Sequence, residues 1–235
     1  MIQRQAMQYL PININLTQAR ILIVGAGEVG MRKTLSVLQA KPKDLLLLDL
    51  ISLTKEKLEC IKQQTENNNF IFEQRNVADS DILGRNLVFA CTNNKEINHF
   101  IADLCNQNNI LCNIIDSPEL SSFIVPAHFS HNGLQLSIST SGQSPALARV
   151  IRQELEGFIT DRFDKTLKLL GKLRPLLLEL NFNTKENTRI FRELIASELM
   201  NQLNQNQVGE AQKTLSKLLP SQLHNRIGDL LHDCT

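Results

Sequence analysis

The pattern of hydrophobic positions changes character about halfway along the chain. Up to residue 115, short apolar runs alternate with segments whose apolar residues recur at helical spacing. Ala19–Val24 is a β-branched run closed by glycines, the form of a strand buried on both faces. Met31–Ala40 follows with Leu35, Val37 and Leu38 at helical spacing. Leu45–Leu48 is a second buried run, and its brevity, with Pro42 just ahead, favours a strand over a helix. Leu53–Gln63 reads as a helix, Phe70–Glu73 and Asn86–Ala90 as strands, Glu96–Asn106 as a helix and Ile110–Ile115 as one more buried strand. Such alternation predicts an α/β fold with a parallel sheet covered on both faces.

After Asp116 the texture is different. Leu134–Ser139 alternates strictly between apolar and polar, as a half-exposed antiparallel strand does. Phe123–Val125 is its expected partner, with turn chemistry supplied by His131-Asn132-Gly133. From Ser144-Pro145 the chain reads as a helix, Ser144 capping and Pro145 at the first position, with a stripe of Leu147, Val150, Ile151 and Leu155. The last eighty or so residues are mostly helices. Asn183 and Glu186 resemble a capping box ahead of inward-facing Ile190, Phe191, Leu194, Ile195 and Leu199. Val208, Ala211, Leu215 and Leu218 mark another helix, and the Asn/Gln-rich stretches Asn67–Asn69 and Asn201–Gln207 read as loops and helix ends. No internal repeat is present.

Composition narrows the class. At 235 residues, 42% hydrophobic and 21% charged, the chain is long and apolar enough to bury a core rather than stay disordered. Lys+Arg is 25 against Asp+Glu 24, which argues against a nucleic-acid binder built on a large basic face. With no Trp and one Tyr, stacking on bases or sugars has little to draw on. No apolar stretch approaches the roughly 18 to 20 residues of a membrane span. Met1–Pro11 lacks a basic segment followed by an apolar one, so a cytosolic soluble protein without membrane contact is expected. Five cysteines with no C-x-x-C pair fit neither a disulfide framework nor a zinc knuckle, and small buried thiols are expected.

The candidate chemistry begins at Gly25-Ala26-Gly27-Glu28-Val29-Gly30, a G-x-G-x-x-G directly after a strand and opening a helix. The first glycine permits a tight turn, and the second lets the backbone approach a pyrophosphate. The third allows close helix–strand packing, while the helix N-terminus faces the phosphate charge. Asp49 ends the second strand about twenty residues on, where an acid binds adenosine ribose hydroxyls and disfavours a 2′-phosphate, so NAD is preferred over NADP. Leu50, Ile51 and Thr92 complete the expected cofactor-binding set with Glu28 and Val29. Asp116 lies at the carboxyl end of a predicted strand, a position that suits a catalytic base and equally a turn or cap residue. His128 and His131 fit two unrelated surface imidazoles or a metal pair, and no metal ligand is assigned. Ser139–Pro145, with Thr140 and Ser141, fits a capped loop or an anion site.

These residues carry a resemblance. Tyr9-Leu10-Pro11-Ile12 and then V-G-A-G-E-V-G-M-R-K resemble the opening of the precorrin-2 dehydrogenase family, which is also the N-terminal half of siroheme synthase. Ala90–Asn94 followed by Glu96-Ile97-Asn98 is similar to the family's A-A-T-D-D-x-x-x-N, and Cys112–Pro118 to its C-N-V-V-D-x-P. Ser122–Ala127 matches S-F-I-x-P-A/S, and Ser141–Arg149 matches S-G-G-x-S-P-x-L-A-R. Five elements in order over about 150 residues are more specific than any one of them. Gly30 stands where the family often has Ala, Asn93-Asn94 replaces an Asp pair, and the run after Asp49 lacks a frequent Pro.

The resemblance implies an NAD-binding Rossmann domain over 1–115, a small α+β dimerisation segment over 116–150 and a helical C-terminal domain over 151–235. It implies NAD-dependent oxidation of precorrin-2 to sirohydrochlorin with Asp116 as acid–base group, in a homodimer. Two other readings stand beside it: an enzyme that also inserts Fe²⁺ into sirohydrochlorin, and a non-catalytic NAD- or tetrapyrrole-binding protein. The methyltransferase half of fused siroheme synthases is expected to be absent. A substrate with many carboxylates calls for donors, and His128, Thr140, Ser141, Arg149 and Arg152 are candidates. For Arg149 a surface ion pair with Glu154 or Glu156 is the alternative.

Overall fold

Five short apolar runs in the first half of the chain become the strands of one parallel sheet. The structure, a computed structural model, describes residues 9–64, 69–159, 162–232 and 234. Residues 1–8 of the opening segment, and Asn67 and Asn68 of the Asn-rich stretch, lie outside the described residues. The chain divides into two units, residues 1–125 and 126–235.

The first unit runs β1 (Arg20–Val24), α1 (Glu28–Gln39), β2 (Asp44–Asp49), α2 (Lys55–Gln64), β3 (Phe70–Gln74), α3 (Asp79–Ile82), β4 (Leu87–Ala90), α4 (Lys95–Gln107) and β5 (Leu111–Ile114). Strand order is β3-β2-β1-β4-β5 with every pairing parallel. This is the parallel α/β sheet that the alternation predicted, in the Rossmann arrangement that the resemblance implied. The order reverses beside β1, which opens a crevice at the carboxyl ends of β1 and β4 where ligands sit in such sheets.

The continuous apolar runs follow from two covered faces. Ile21, Ile23, Leu45, Leu47 and Phe89 pack with Met31, Val37 and Leu38 of α1 and Ile61 of α2. Their alternating neighbours Leu22, Val24, Leu46, Leu48 and Val88 pack with Ile82 of α3 and Ile101, Ala102 and Cys105 of α4. A strand of four leucines therefore sends two to each layer. Each fully buried Leu or Ile contributes about 1.5–3 kcal/mol through removal of apolar area from water.

The strand expected over Phe123–Val125 does not form, because this segment seals the free edge of β5 instead. Ser122 N donates to Cys112 O at 2.9 Å, and the Ser122 hydroxyl accepts from Cys112 N at 2.8 Å. Ser121 Oγ accepts from Ile114 N at 2.9 Å, and Asn113 Nδ2 donates to Phe123 O at 3.1 Å. Phe123 then stands edge-on to Phe89, ring centres 5.6 Å apart. Side-chain hydroxyls thus satisfy edge groups that would otherwise invite another strand.

In the second unit β6 (Ala127–His131) pairs antiparallel with β7 (Leu134–Ile138). Asn132 and Gly133 at φ 47° and 87° form the tight turn between them, where both central residues need positive φ. Then come α5 (Pro145–Ile159), α6 (Asp164–Glu179), α7 (Thr184–Ala196), α8 (Leu199–Asn204), α9 (Val208–Leu218) and α10 (Ile227–Leu231). Leu169, Leu173, Leu177, Ile190, Leu194, Leu203, Leu215 and Leu230 form the helical core. Asn183 caps α7 through Glu186 N at 2.9 Å. One of the residues expected to face inward does not: Ile195 is exposed, and Leu199 opens α8 rather than closing α7. The helix breaks at Ser197, whose hydroxyl donates to Leu194 O and accepts from Leu199 N, and this ends the 3.6-residue phase. On α5, Ala148 is buried while Leu147 and Val150 of the expected stripe are exposed. Of the thiols, Cys105, Cys112 and Cys234 are buried, Cys91 is half-buried, and Cys60 departs from the expectation by lying exposed on α2. Among the described residues no helix is long and apolar enough to cross a membrane.

Candidate functional site

Register fixes which residues share the carboxyl edge of the sheet. Leu48, Val24, Ala90 and Ile114 stand level across β2, β1, β4 and β5. The next residues, Asp49, Gly25, Cys91 and Ile115, form the rim, and Thr92 and Asp116 lie one residue beyond it. Gly25 N donates to Leu48 O at 2.7 Å, Cys91 N to Val24 O at 2.7 Å and Ile115 N to Ala90 O at 2.9 Å, so the ladder continues through the rim.

The three glycines of the turn have three different reasons to be glycine. Gly25 sits at φ +99°, and a Cβ there would stand 2.5 Å from Cys91 O. Gly30 lies against the turn it follows, and a Cβ would be 1.8 Å from Gly25 O. Alanine, frequent in the resembling family at this position, does not fit this backbone without a shift. Gly27 is the opposite case. It caps α1 with φ −65°, and nothing lies within 4 Å of where its Cβ would be. No protein atom therefore requires glycine at position 27, and the open space is a cradle that a Cβ would fill. A pyrophosphate against the backbone at the start of α1, with Glu28 exposed and Val29 half-buried beside it, fits that space.

Asp49 is tied to this turn. Its Oδ2 accepts from Ala26 N at 2.5 Å and its Oδ1 from Ile51 N at 2.9 Å. Each carboxylate oxygen keeps a second lone pair for a ligand hydroxyl. Leu50 and Ile51, 62% and 75% exposed, place apolar surface next to Asp49 in the chain. Lys57, three residues into α2, donates from Nζ to Ala26 O at 2.6 Å. Sequence reasoning missed Lys57, because a lysine in a helical first turn carries no signal of a contact 31 residues away.

On the β4 side, Thr92 Oγ1 donates to Asn98 Oδ1 at 2.7 Å, and Asn98 Nδ2 donates to Thr92 O at 3.0 Å. Asn94 caps α4, its Oδ1 accepting from Glu96 N and Ile97 N at 2.9 and 3.2 Å. Asn caps a helix about as well as Asp, so replacement of the acidic pair leaves the architecture intact. Burial pushes the Cys91 thiol up to about 11, which keeps it protonated and unreactive. Burial also lowers the Lys33 ammonium from its ordinary value, and this group lies 5.6 Å from the centre of the Phe89 ring. Asp116 sits in the turn after β5 at φ +55°, exposed, and its carboxylate has no hydrogen bond or ion pair among the described residues. A non-glycine residue in this conformation is strained, and Asp is among the residues that tolerate it best.

The remaining candidates lie on the second unit. His128 is exposed with Nδ1 3.0 Å from Pro126 O, and His131 pairs through Nε2 with Asp164 at 3.0 Å. Three residues apart on one strand, they point to opposite faces and do not converge on one ion. Among the described residues no group of three or more His, Cys, Asp or Glu is placed to hold a metal. Thr140 Oγ1 accepts from Ser144 N at 3.0 Å and Ser144 Oγ from Leu147 N at 3.2 Å, so both hydroxyls shape the loop and cap α5. Ser141 and Gly142 follow at φ 51° and 81°, both exposed, and Ser141 N donates to Ser139 Oγ at 3.1 Å. Arg149 is exposed and makes no ion pair among the described residues; the pair on this helix is Arg152 with Glu156.

Comparison with known proteins agrees with this geometry. Residues 12–127 match a family model described as "Putative NAD(P)-binding", and residues 132–157 one described as "Sirohaem biosynthesis protein central". A siroheme synthase of Vesicomyosocius okutanii is 30% identical over 223 residues, covering 94% of this chain and 46% of the relative. One from Buchnera aphidicola is 31% identical over 195 residues, covering 81% and 39%. The chain spans about half the length of the curated relatives it matches. A solved structure named SirC, precorrin-2 dehydrogenase, superposes with a TM-score of 0.70 at 21% identity, covering 89% of this chain and 98% of that one. That likeness establishes the shared fold.

Proposed function

We propose that this chain belongs with the siroheme synthases, as their N-terminal-type region, and is an NAD-dependent precorrin-2 dehydrogenase yielding sirohydrochlorin. The observation that carries the reading is the open cradle at Gly27 on the same sheet edge as Asp49, Thr92 and Asp116.

In this reading Gly25, Gly27 and Gly30 with the first turn of α1, Glu28 and Val29 included, hold the pyrophosphate. Asp49 receives the adenosine ribose hydroxyls, and Leu50 and Ile51 cover one face of the adenine. Thr92, fixed by Asn98, borders the nicotinamide half. The bound NAD supplies the hydride acceptor. Asp116, without a side-chain partner among the described residues and beyond the rim, takes the proton that leaves the macrocycle. His128, Thr140, Ser141 and Arg149 are the proposed contacts for substrate carboxylates, with Arg149 making no ion pair among the described residues and suited to bidentate binding. Exposed Leu147, Val150 and Phe158 on α5 support a homodimer, because such apolar surface on one helix calls for cover. Dimerisation over 116–150 and a cytoplasmic location are parts of the same proposal.

The direct test is anaerobic incubation with precorrin-2 and NAD, followed by absorbance. Appearance of the sirohydrochlorin spectrum with stoichiometric NADH supports the reading, and no turnover with either cofactor overturns it.

A further inference from the structure

The glycine turn is held from two sides. Asp49 binds the N–H of Ala26, and Lys57 binds its carbonyl at 2.6 Å, so carboxylate and ammonium grip opposite ends of one residue. Lys57 is not where a helix favours a cation. It lies in the first turn of α2, where Thr54 Oγ1 accepts from Lys57 N at 3.4 Å, and the helix dipole there repels positive charge. Its ammonium is half-buried and has only a backbone carbonyl as partner among the described residues. On the β3 side of this rim Arg75, one residue past β3, is already committed. Arg75 makes two bonds to Asp81 at 2.6 and 2.8 Å and one to Glu73 at 2.6 Å. Lys57 therefore brings a positive charge to the residue that Asp49 also touches.

We propose that Lys57 is a positioning and specificity-determining residue for the cofactor: it holds the Ala26 carbonyl so that the turn stays closed on Asp49, and its charge moderates rejection of a 2′-phosphate. The inference rests on the reading of the glycine turn as the cofactor site. Asp49 alone repels the extra phosphate, whereas a neighbouring ammonium with two unused N–H donors attracts it. Loss of Lys57 then has two separable effects. Both dinucleotides bind less well because the turn loosens, and NADP loses more because the attracting charge is gone.

The test measures dissociation constants of NAD and NADP for the parent, Lys57→Met and Lys57→Arg, at low and high salt, with thermal melts alongside. Lys57→Met should weaken NAD about three- to tenfold and NADP at least about threefold more than NAD. Lys57→Arg should restore the parent ratio, and the excess loss of NADP in Lys57→Met should shrink at high salt, where exposed charges are screened. Equal losses for both dinucleotides would reduce Lys57 to a structural tether and overturn the specificity claim. Unchanged binding in Lys57→Met by a parent that does bind NAD overturns Lys57 alone. A parent that binds neither dinucleotide overturns the cofactor site itself, and the role of Lys57 with it.

Discussion

The carboxylate of Asp49 and the backbone N–H of Ala26 are joined by a 2.5 Å hydrogen bond across 23 residues of sequence. The bond ties the end of β2 to the turn after β1, so the acid that would read the ribose is preoriented before any ligand arrives. A carboxylate held in place cannot swing away from a 2′-phosphate. NAD should therefore bind at least about tenfold more tightly than NADP, a difference of roughly 1.4 kcal/mol. Asp49→Asn should narrow that gap, since the amide keeps the size and loses the charge. Equal affinity for the two dinucleotides in the parent would show that Asp49 serves the turn alone.

The glycines predict a contrast between function and stability. Gly27→Ala places a Cβ in open space, so the melting temperature should stay near the parent value while NAD binding is lost. Gly30→Ala drives a Cβ into the Gly25 carbonyl and should destabilise the fold by about 1–3 kcal/mol, as overpacking does. Melts and NAD titrations of the two variants check both halves. Unimpaired NAD binding by a well-folded Gly27→Ala would remove the pyrophosphate from this turn.

A third prediction concerns pH. The Arg75 guanidinium beside Asp81 holds its carboxyl below the usual carboxylate range, and Ala78 N adds a backbone bond at 2.8 Å. A depressed carboxylate contributes stability that is present above its unfolded pKa and is lost as pH falls through the folded one. Asp81→Asn should therefore cost about 1–3 kcal/mol at pH 7, because the nearly buried carboxylate gives up charge-assisted bonds from Arg75 and Ala78 N. That gap should hold down to about pH 4 and close in more acid solution. Denaturant titrations of parent and variant across pH measure it, and a gap independent of pH would assign the loss to packing.

Much of this architecture was legible because the physics is local. Leu45–Leu48 read as a strand between two covered faces because Pro42 and the short length favoured it over a helix. The Gly25–Gly30 turn and Asp49 were placed correctly on one edge because strand ends and helix starts carry their own marks. Phe123–Val125 was misread because its apolar run looks like any strand, and nothing local reveals that Ser121 and Ser122 hydroxyls would close the edge of β5. Lys57 was invisible for the same reason: its partner is a backbone carbonyl, which leaves no trace in side-chain spacing. Asn98 stood inside a quoted motif, yet its pairing with Thr92 needed the structure to show that α4 turns it back onto the rim.

The last prediction concerns Asp116, whose conformation dictates how it should be tested. At φ +55° the position favours Asp, Asn or Gly, so Asp116→Ala adds roughly 1 kcal/mol of backbone strain to the loss of the carboxylate. Asp116→Asn avoids that confusion, because Asn tolerates the left-handed region and matches the volume but accepts no proton. NAD affinity should remain within a few-fold in both variants, since the glycine turn and Asp49 hold the cofactor. The rate of precorrin-2 oxidation should fall by about a hundredfold or more in Asp116→Asn, the usual range for a positioned acid–base group. Asp116→Ala should match that rate loss and add a small drop in melting temperature. Oxidation by Asp116→Asn at the parent rate would make Asp116 a turn residue chosen for its backbone. The base would then be sought elsewhere, first at His128, whose Nε2 is left free to accept a proton when Nδ1 donates to the Pro126 carbonyl.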